Sequence, residues 1–175
     1  INYNNKTILM KKNLFFIVFL FLVTNIVAQD NLKAEINNTL DAWHKAAAEA
    51  NFKNYFDAMT DDAVFIGTDA TENWTKPAFQ AYAKPYFDKG KAWIFKALER
   101  HIYFSEDKKT AWFDELLDTQ MKICRGSGVL VFVNKQWKIK HYVLSMTFPN
   151  DNTDEVIKIK APIEDALIIG LKGRK

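Results

Sequence analysis

Cysteine is almost missing from this chain. With Cys124 alone, no internal disulfide can form, and no cysteine and histidine cluster has the spacing of a zinc site. Cys124 itself reads as a small buried hydrophobe. Glycine and proline are also sparse, at six and four residues. None of the glycines falls into a G-x-G-x-x-G or phosphate-loop pattern, which removes the usual sequence signatures of dinucleotide and nucleoside triphosphate binding. Neither a low-complexity linker nor an internal repeat divides the sequence. Long apolar runs are limited to Leu14–Val23 (LFFIVFLFLV), ten residues against the roughly 20 that a membrane-spanning helix needs.

That run follows Met10-Lys11-Lys12 and precedes the small residue Ala28, the charged, apolar and small-residue order of a secretory signal. Cleavage near Ala28 is expected, giving a mature chain from Gln29 that is secreted or periplasmic and has no stable membrane association. No cysteine follows the apolar run, so a lipid anchor is not expected. Residues 1–9 read as upstream sequence without a fold role, 10–28 as the signal, 29–149 as one domain and 150–175 as a C-terminal extension. The leader also carries the charge imbalance. Of 24 basic residues, Lys6 in the upstream sequence and Lys11 and Lys12 in the leader precede Gln29 and no acid does, which leaves 21 basic against 21 acidic residues. A neutral mature chain offers no electrostatic reason to bind nucleic acid or an anionic membrane.

What is present is apolar and patterned. Hydrophobic residues make up 49% of the chain, enough for the core of a single domain. Leu32, Ile36, Leu40, Trp43 and Ala47 recur at spacings of four and three, which predicts a helix from Leu32 to about Ala50 with Asp30 or Asn31 as N-cap. Phe52, Tyr55, Phe56 and Met59 predict a second, short helix ended by Thr60-Asp61-Asp62. Ala63–Ile66 reads as an isolated strand before Gly67, and a polar loop then leads to Trp74. A third helix is expected from Thr75 to near Asp88, with Pro77 tolerated in its first turn. Trp93–Phe104 reads as a long strand despite the helix-favouring KALER at its middle. Ala111–Asp118, Arg125–Val133 and Trp137–Met146 follow as a meander, joined by the short loops Met121–Ile123 and Asn134–Gln136. Beyond Pro149, Val156–Lys160 and Ile163–Leu171 read as a terminal strand or helix that packs back on the domain. A sheet is only half a core, so the helices must cover its apolar face, and any ligand cavity lies between the two.

The order of elements, with LDAWHKAAAEANF, VFIGTDATENW, AWFDELLD, RGSGVLVF and WKIKHYVLS, resembles the nuclear transport factor two-like superfamily, in its SnoaL-like branch. The likeness spans about Leu32 to Phe148. It implies an α+β domain in which three N-terminal helices pack on a curved antiparallel β-sheet, a cone-shaped, cystatin-like architecture. The superfamily holds isomerase-like and epoxide hydrolase-like enzymes, dehydratases, polyketide cyclases and non-catalytic association modules, so chemistry has to come from the pocket. Relatives that end in a W-x-I-x-H-x-H-x-S strand carry a second inward histidine; here only His141 remains, and Val143 takes the other place.

Alternation along the strands groups Arg125 with Ser127, Val129 and Val131, and Trp137 with Ile139, His141, Val143 and Ser145. With a three-residue loop at Asn134-Lys135-Gln136 both sets face the concave side; a two-residue turn inverts the pairing. An inward Arg125 needs a carboxylate partner or an anionic ligand. Asp114 and Glu115 are adjacent, so one of them faces inward, with Glu115 preferred for its companions Ala111, Phe113 and Leu117. Such a carboxylate in an apolar cavity has a raised pKa and suits a general base. The candidate catalytic residues are therefore Glu115, Asp114 and His44, the last on the edge of the first helix's apolar stripe, where a structural role is the alternative. Arg125, His141, Trp74, Trp112, Asp69 and Glu72 are the candidate ligand-binding residues. No metal or cofactor is implied. The expected function is binding of a small, mainly apolar ligand. The alternatives are a cyclase, isomerase or dehydratase and a ligand-free dimeric association module. A homodimer is expected through the other sheet face, with Leu130 and Phe132 as its apolar side chains.

Overall fold

The structure, a computed structural model, describes residues 30–174. The expected leader and its cleavage site lie outside the described residues. Helix α1 occupies residues 30–48, and residue 30 is already helical, so neither Asp30 nor Asn31 is the cap. After it, α2 (Phe52–Asp57) is capped by Asn51, whose side chain accepts from the Asn54 N–H at 3.0 Å. Strand β1 (Met59–Ile66) begins where the second helix was expected to be ending. Met59–Asp62 are extended because a later strand captures them: the Ile139 N–H donates to the Ala58 carbonyl at 2.9 Å, and Met59 aligns with Ile139. Tertiary pairing overrides the helical spacing there.

Next come β2 (Asn73–Thr75), α3 (Lys76–Asp88), β3 (Lys96–Phe104), β4 (Thr110–Thr119), β5 (Lys122–Val133) and β6 (Gln136–Met146). A 3₁₀ turn (Asn150–Asn152) leads into α4 (Thr153–Lys172). The strands form one six-stranded sheet in the order β2-β1-β6-β5-β4-β3. Far from being isolated, β1 pairs antiparallel with β2 and parallel with β6. All other pairs are antiparallel, and the fold class is the expected α+β one. KALER is strand, because every residue from Glu99 to Phe104 has a partner on β4.

Two local features decide which side chains face the helices. Val133 pairs with Gln136 across only Asn134 and Lys135, whose φ values of 51° and 63° suit a two-residue hairpin turn. The three-residue loop is thereby replaced, and the pairing of β5 with β6 is inverted. Further along, Val129 pairs with His141 and Leu130 with Ile139, leaving Lys140 unpaired. This β-bulge shifts the alternation by one. Strand β6 consequently buries Trp137, Ile139, Tyr142 and Leu144, while His141 and Val143 point to the outer face. On β5 the inward set is Cys124, Gly126, Gly128 and Leu130.

Helix α1 crosses the concave face and fills it with Ile36, Leu40, Trp43 and Ala47. Trp43 stacks on Tyr55 and meets Tyr142 edge-on, both at 4.8 Å between centroids, and Phe65 stacks on Phe79 at 4.0 Å. Such aromatic pairs add about 0.5–1.5 kcal/mol each beyond simple burial. At one end of the layer the Trp137 indole donates to the Glu35 carboxylate at 3.2 Å. The terminal segment is a helix and does not pack back: none of its residues is buried.

The hairpin turn holds a lysine in the left-handed region, at a cost that glycine does not carry. Lys135→Gly is expected to stabilise the domain by about 0.5–1 kcal/mol. A rise in the urea midpoint without a change in slope is the measurement; a loss of stability would show that the turn is not of this kind.

Candidate functional site

Glu115 comes inward from the middle of β4 and is 1% exposed. Arg100 faces it directly on β3; its Nε donates to Oε2 at 2.9 Å, with Nη2 at 2.8 Å from the same oxygen. From α1, His44 Nε2 lies 2.9 Å from Oε1, and from β6 the Tyr142 hydroxyl donates to Oε1 at 3.0 Å. Arg100 Nη1 reaches back to α1, at 2.9 Å from both the Asn37 side-chain oxygen and the Asp41 carboxylate. Opposite Glu115 on β5 stands Gly126. A Cβ there would sit 2.2 Å from the Tyr142 hydroxyl and 2.9 Å from Glu115 Oε1, so only glycine leaves room for the bond between them.

Burial by itself raises the Glu115 carboxyl. The hydrogen bond and charge of His44 and the Arg100 guanidinium outweigh it and hold the group below the usual carboxylate value. The direction is opposite to the expected one. Glu115 is therefore an ionised acceptor whose two oxygens are both engaged, which requires His44 Nε2 to carry the proton it donates. Burial first, and then the negative charge of Glu115, push the Tyr142 phenol well up, so it stays protonated and donates.

The cavity lies elsewhere. A space of about 240 Å³ opens between α3, the segment before β3 and the turn joining β4 to β5. Trp74, Phe79, Trp93 and Phe95 form its apolar walls, Tyr82 and Tyr86 its rim, and Thr68, Glu72 and Gln120 its polar groups. Leu144 is the inward β6 residue that reaches it. None of Glu115, His44, Arg100 or Tyr142 lines it. Glu72 curls over Gly67, its Oε2 accepting from the Asp69 N–H at 3.1 Å. His44 borders a separate, shallow cleft with Asp41, Lys45, Phe95 and Lys96. Among the described residues no group of three or more histidine, cysteine, aspartate or glutamate side chains is placed to hold a metal ion.

A model of the SnoaL-like domain matches residues 36–149. The chain belongs to the SnoaL-like family, within the NTF2-like superfamily. Solved structures share the fold at low identity. An NTF2-like protein of unknown function from Pseudomonas putida has 16% identity over 68% of this chain and 89% of that one, with a TM-score of 0.56. A cystatin-like-fold protein of unknown function from Nostoc punctiforme has 11% identity over 66% and 90%, at 0.55. An NTF2-like protein from Cytophaga hutchinsonii has 15% identity over 66% and 98%, at 0.56. A search of curated proteins found no match.

In this SnoaL-like domain the residues singled out from sequence separate into three places. Glu115 and His44 meet in the buried charge cluster. Trp74 and Glu72 line the cavity, while Asp69 is exposed in the loop, where the Thr71 hydroxyl and N–H hold its carboxyl below the usual range. Arg125, Asp114, His141 and Trp112 are on the outer face. Arg125 is exposed opposite Leu116 and Ser145, which corrects its expected inward position; the two-residue turn, which aligns Phe132 with Trp137, is the cause. Asp114 lies 3.3 Å from His101 Nδ1, His141 is beside Val129, and Trp112 stacks on Tyr103. Leu130, expected on the outer face, is fully buried on the inner one, and Phe132, of the same parity, packs on Trp137. The missed residues are Arg100, hidden in a segment of helical character although it is the only arginine in that strand, and Tyr142, concealed by the bulge.

Removing one member of a buried ion pair costs about 3–5 kcal/mol, and an exposed substitution changes stability by about 0.5 kcal/mol either way. Arg100→Leu is therefore expected to be severely destabilising and Arg125→Leu near neutral, as read from urea melts. A carboxyl whose folded pKa is depressed contributes stability that is full above its ordinary value of 4.5 and is lost as the pH falls through the folded value. The stability gap between the native protein and Glu115→Gln should accordingly be widest near neutrality and shrink below that value. A gap that is independent of pH would mean that Glu115 is not ionised in the fold.

Proposed function

We propose that this protein is an exported SnoaL-like domain that binds a small, mainly aromatic or apolar molecule with a hydrogen-bond-donating end. We further propose that it works as a homodimer through the outer face of its sheet. The observation that carries the binding reading is the cavity walled by Trp74, Phe79, Trp93 and Phe95 with Glu72 among its polar groups. Its volume of about 240 Å³ is under the roughly 300–1,000 Å³ of pockets for drug-sized ligands, so a molecule of one or two rings is the fitting size. The Glu72 carboxylate, already accepting one backbone N–H, has capacity left to accept from a ligand hydroxyl or amine.

Binding is favoured over base catalysis by the state of Glu115. A carboxylate held below its ordinary pKa, with both oxygens engaged and no access to the cavity, is a poor proton acceptor. The ligand-free association reading suits a pocket filled by its own side chains, and this one is open. Export rests on the leader, with Lys11 and Lys12 before an apolar run and Ala28 after it. Dimerisation is supported by a register row across the outer face, Tyr103, Trp112, Val129, His141 and Val64, in which the histidine is the one strongly polar side chain.

Titration with a panel of one- and two-ring aromatic alcohols and amines, followed by tryptophan fluorescence, should saturate for at least one compound and show no turnover. Ala92 also lines the cavity, and Ala92→Trp, which fills it, should raise that Kd at least tenfold while leaving the urea midpoint nearly unchanged. Saturable binding that survives Ala92→Trp would place the ligand elsewhere. The mass of exported protein should correspond to a chain starting at Gln29.

A further inference from the structure

The cavity between α3 and the turn joining β4 to β5 carries charge of one sign. Glu72 is the one carboxylate among the residues that line it, and no lysine, arginine or histidine lines it. Half of the lining residues are aromatic. Lys76, the basic residue nearest to Glu72 in sequence, is turned away from it: its ammonium group donates to the Met59 carbonyl and to the Asp61 carboxylate, both at 3.1 Å. Among the described residues Glu72 enters no ion pair.

This carboxylate is held in place before any guest arrives. The Gly67 N–H donates to the Glu72 carbonyl and the Glu72 N–H to the Asp69 carbonyl, both at 3.0 Å, while the Asp69 N–H donates to Glu72 Oε2. The Thr71 N–H and hydroxyl fix the Asp69 carboxylate in turn. A Cβ at position 67 would overlap Glu72 Oε2, so the glycine leaves the space in which the acid lies. Rings surround it. Phe79 and Leu144 are buried at the floor, whereas Tyr82 and Tyr86 are 42% and 45% exposed at the mouth, and Trp74 stacks on Tyr82 with 4.5 Å between centroids. The charge of Glu72 is felt at this mouth. Burial first, then Tyr86 and finally Glu72 push the Tyr82 phenol up to about 12, so that ring stays neutral.

We infer that the cavity takes a small arylalkylammonium cation, its ring on the floor of Phe79 and Leu144 and its protonated amine between Glu72 and the rings of the mouth. The inference rests on the binding reading above and narrows its guest from any hydrogen-bond donor to a cation. A hydrogen bond between two ionised partners is roughly twice as strong as one between neutral groups. The electron-rich faces of tryptophan and tyrosine attract a cation within about 6 Å of the ring centre. A neutral alcohol gains neither advantage in full, and an anion is repelled by both features. A hard metal ion such as calcium takes about six to eight oxygen ligands, which one carboxylate among aromatic walls does not supply. The loop fixed in advance lowers the ordering cost of binding. A volume of about 240 Å³ leaves room for one ring and a short chain.

The test compares three probes of similar shape and different charge on the purified protein, followed by tryptophan fluorescence: 2-phenylethylammonium, 2-phenylethanol and 3-phenylpropanoate. The ammonium is expected to bind about tenfold or more tightly than the alcohol, with no saturable binding of the carboxylate. Glu72→Gln keeps the shape and an oxygen for the Asp69 N–H, so it should raise the ammonium Kd about tenfold and bring it close to that of the alcohol. Added salt should weaken the ammonium and leave the alcohol unchanged in the native protein, a readout that needs no variant. Equal affinity for ammonium and alcohol, or a preference that survives Glu72→Gln, overturns the cation and leaves the aromatic-guest reading standing. Saturation by a neutral member of the wider aromatic panel without saturation by the ammonium does the same. If no compound of either set saturates, the binding reading falls and the cation with it.

Discussion

The Glu115 carboxylate is the point to which this fold is tied. It sits where α1, β3, β4 and β6 converge, and three of those elements each send a donor to the acid on β4: His44, Arg100 and Tyr142. The hydrophobic packing of α1 on the sheet sets no strict register, because Ile36, Leu40 and Ala47 could slide by a fraction of a turn with little loss of contact. Three directed hydrogen bonds to one buried charge allow no such sliding. A buried pair of this kind is weak evidence for net stability, since apolar replacements of the same volume often do as well. Its contribution here is to fix one arrangement of helix on sheet.

The cluster also explains the sparse glycines of β5. Gly126 faces the carboxylate and must lack a side chain for Tyr142 to reach it. Two residues on, a Cβ at Gly128 would meet the His141 carbonyl at 2.4 Å and the Phe113 ring at 2.9 Å. The sequence RGSG is therefore a groove pressed into the sheet, through which the side chains of β4 and β6 meet over β5. Read as a strand with two weak residues it looks like a defect; in the fold it is the space that the charge cluster and its aromatic cover occupy.

Much of this was legible from residue spacing. The apolar stripe of α1, the bounds of α3 and the three meander strands follow from period and turn residues, and the choice of Glu115 over Asp114 follows from its apolar companions on β4. What was not legible depends on single residues without a pattern. The turn at Asn134 and Lys135 lacks the glycine that usually marks a two-residue hairpin, so its length was misjudged and Arg125 was turned inward. The bulge at Lys140 carries no local sign at all, and it exchanged Tyr142 for His141. Both errors moved whole rows of side chains from one face to the other, because a strand alternates with a period of two. Arg100 was overlooked because KALER has helical propensity, and only its partner across the sheet shows what it is for.

Because the charge cluster and the cavity share no side chain, the domain separates the residues that hold it together from those that line its open space. The lining residues Trp74, Tyr82, Tyr86, Ala92 and Met121 can change in size or polarity without disturbing the bonds around Glu115. Such a layout leaves the cavity wall free to vary while the scaffold stays constant, so the shape and polarity of that space can change by substitution at one end of the domain alone. The same property makes the domain a suitable frame for grafting a new binding wall, since the anchoring acid is out of reach of whatever is built there.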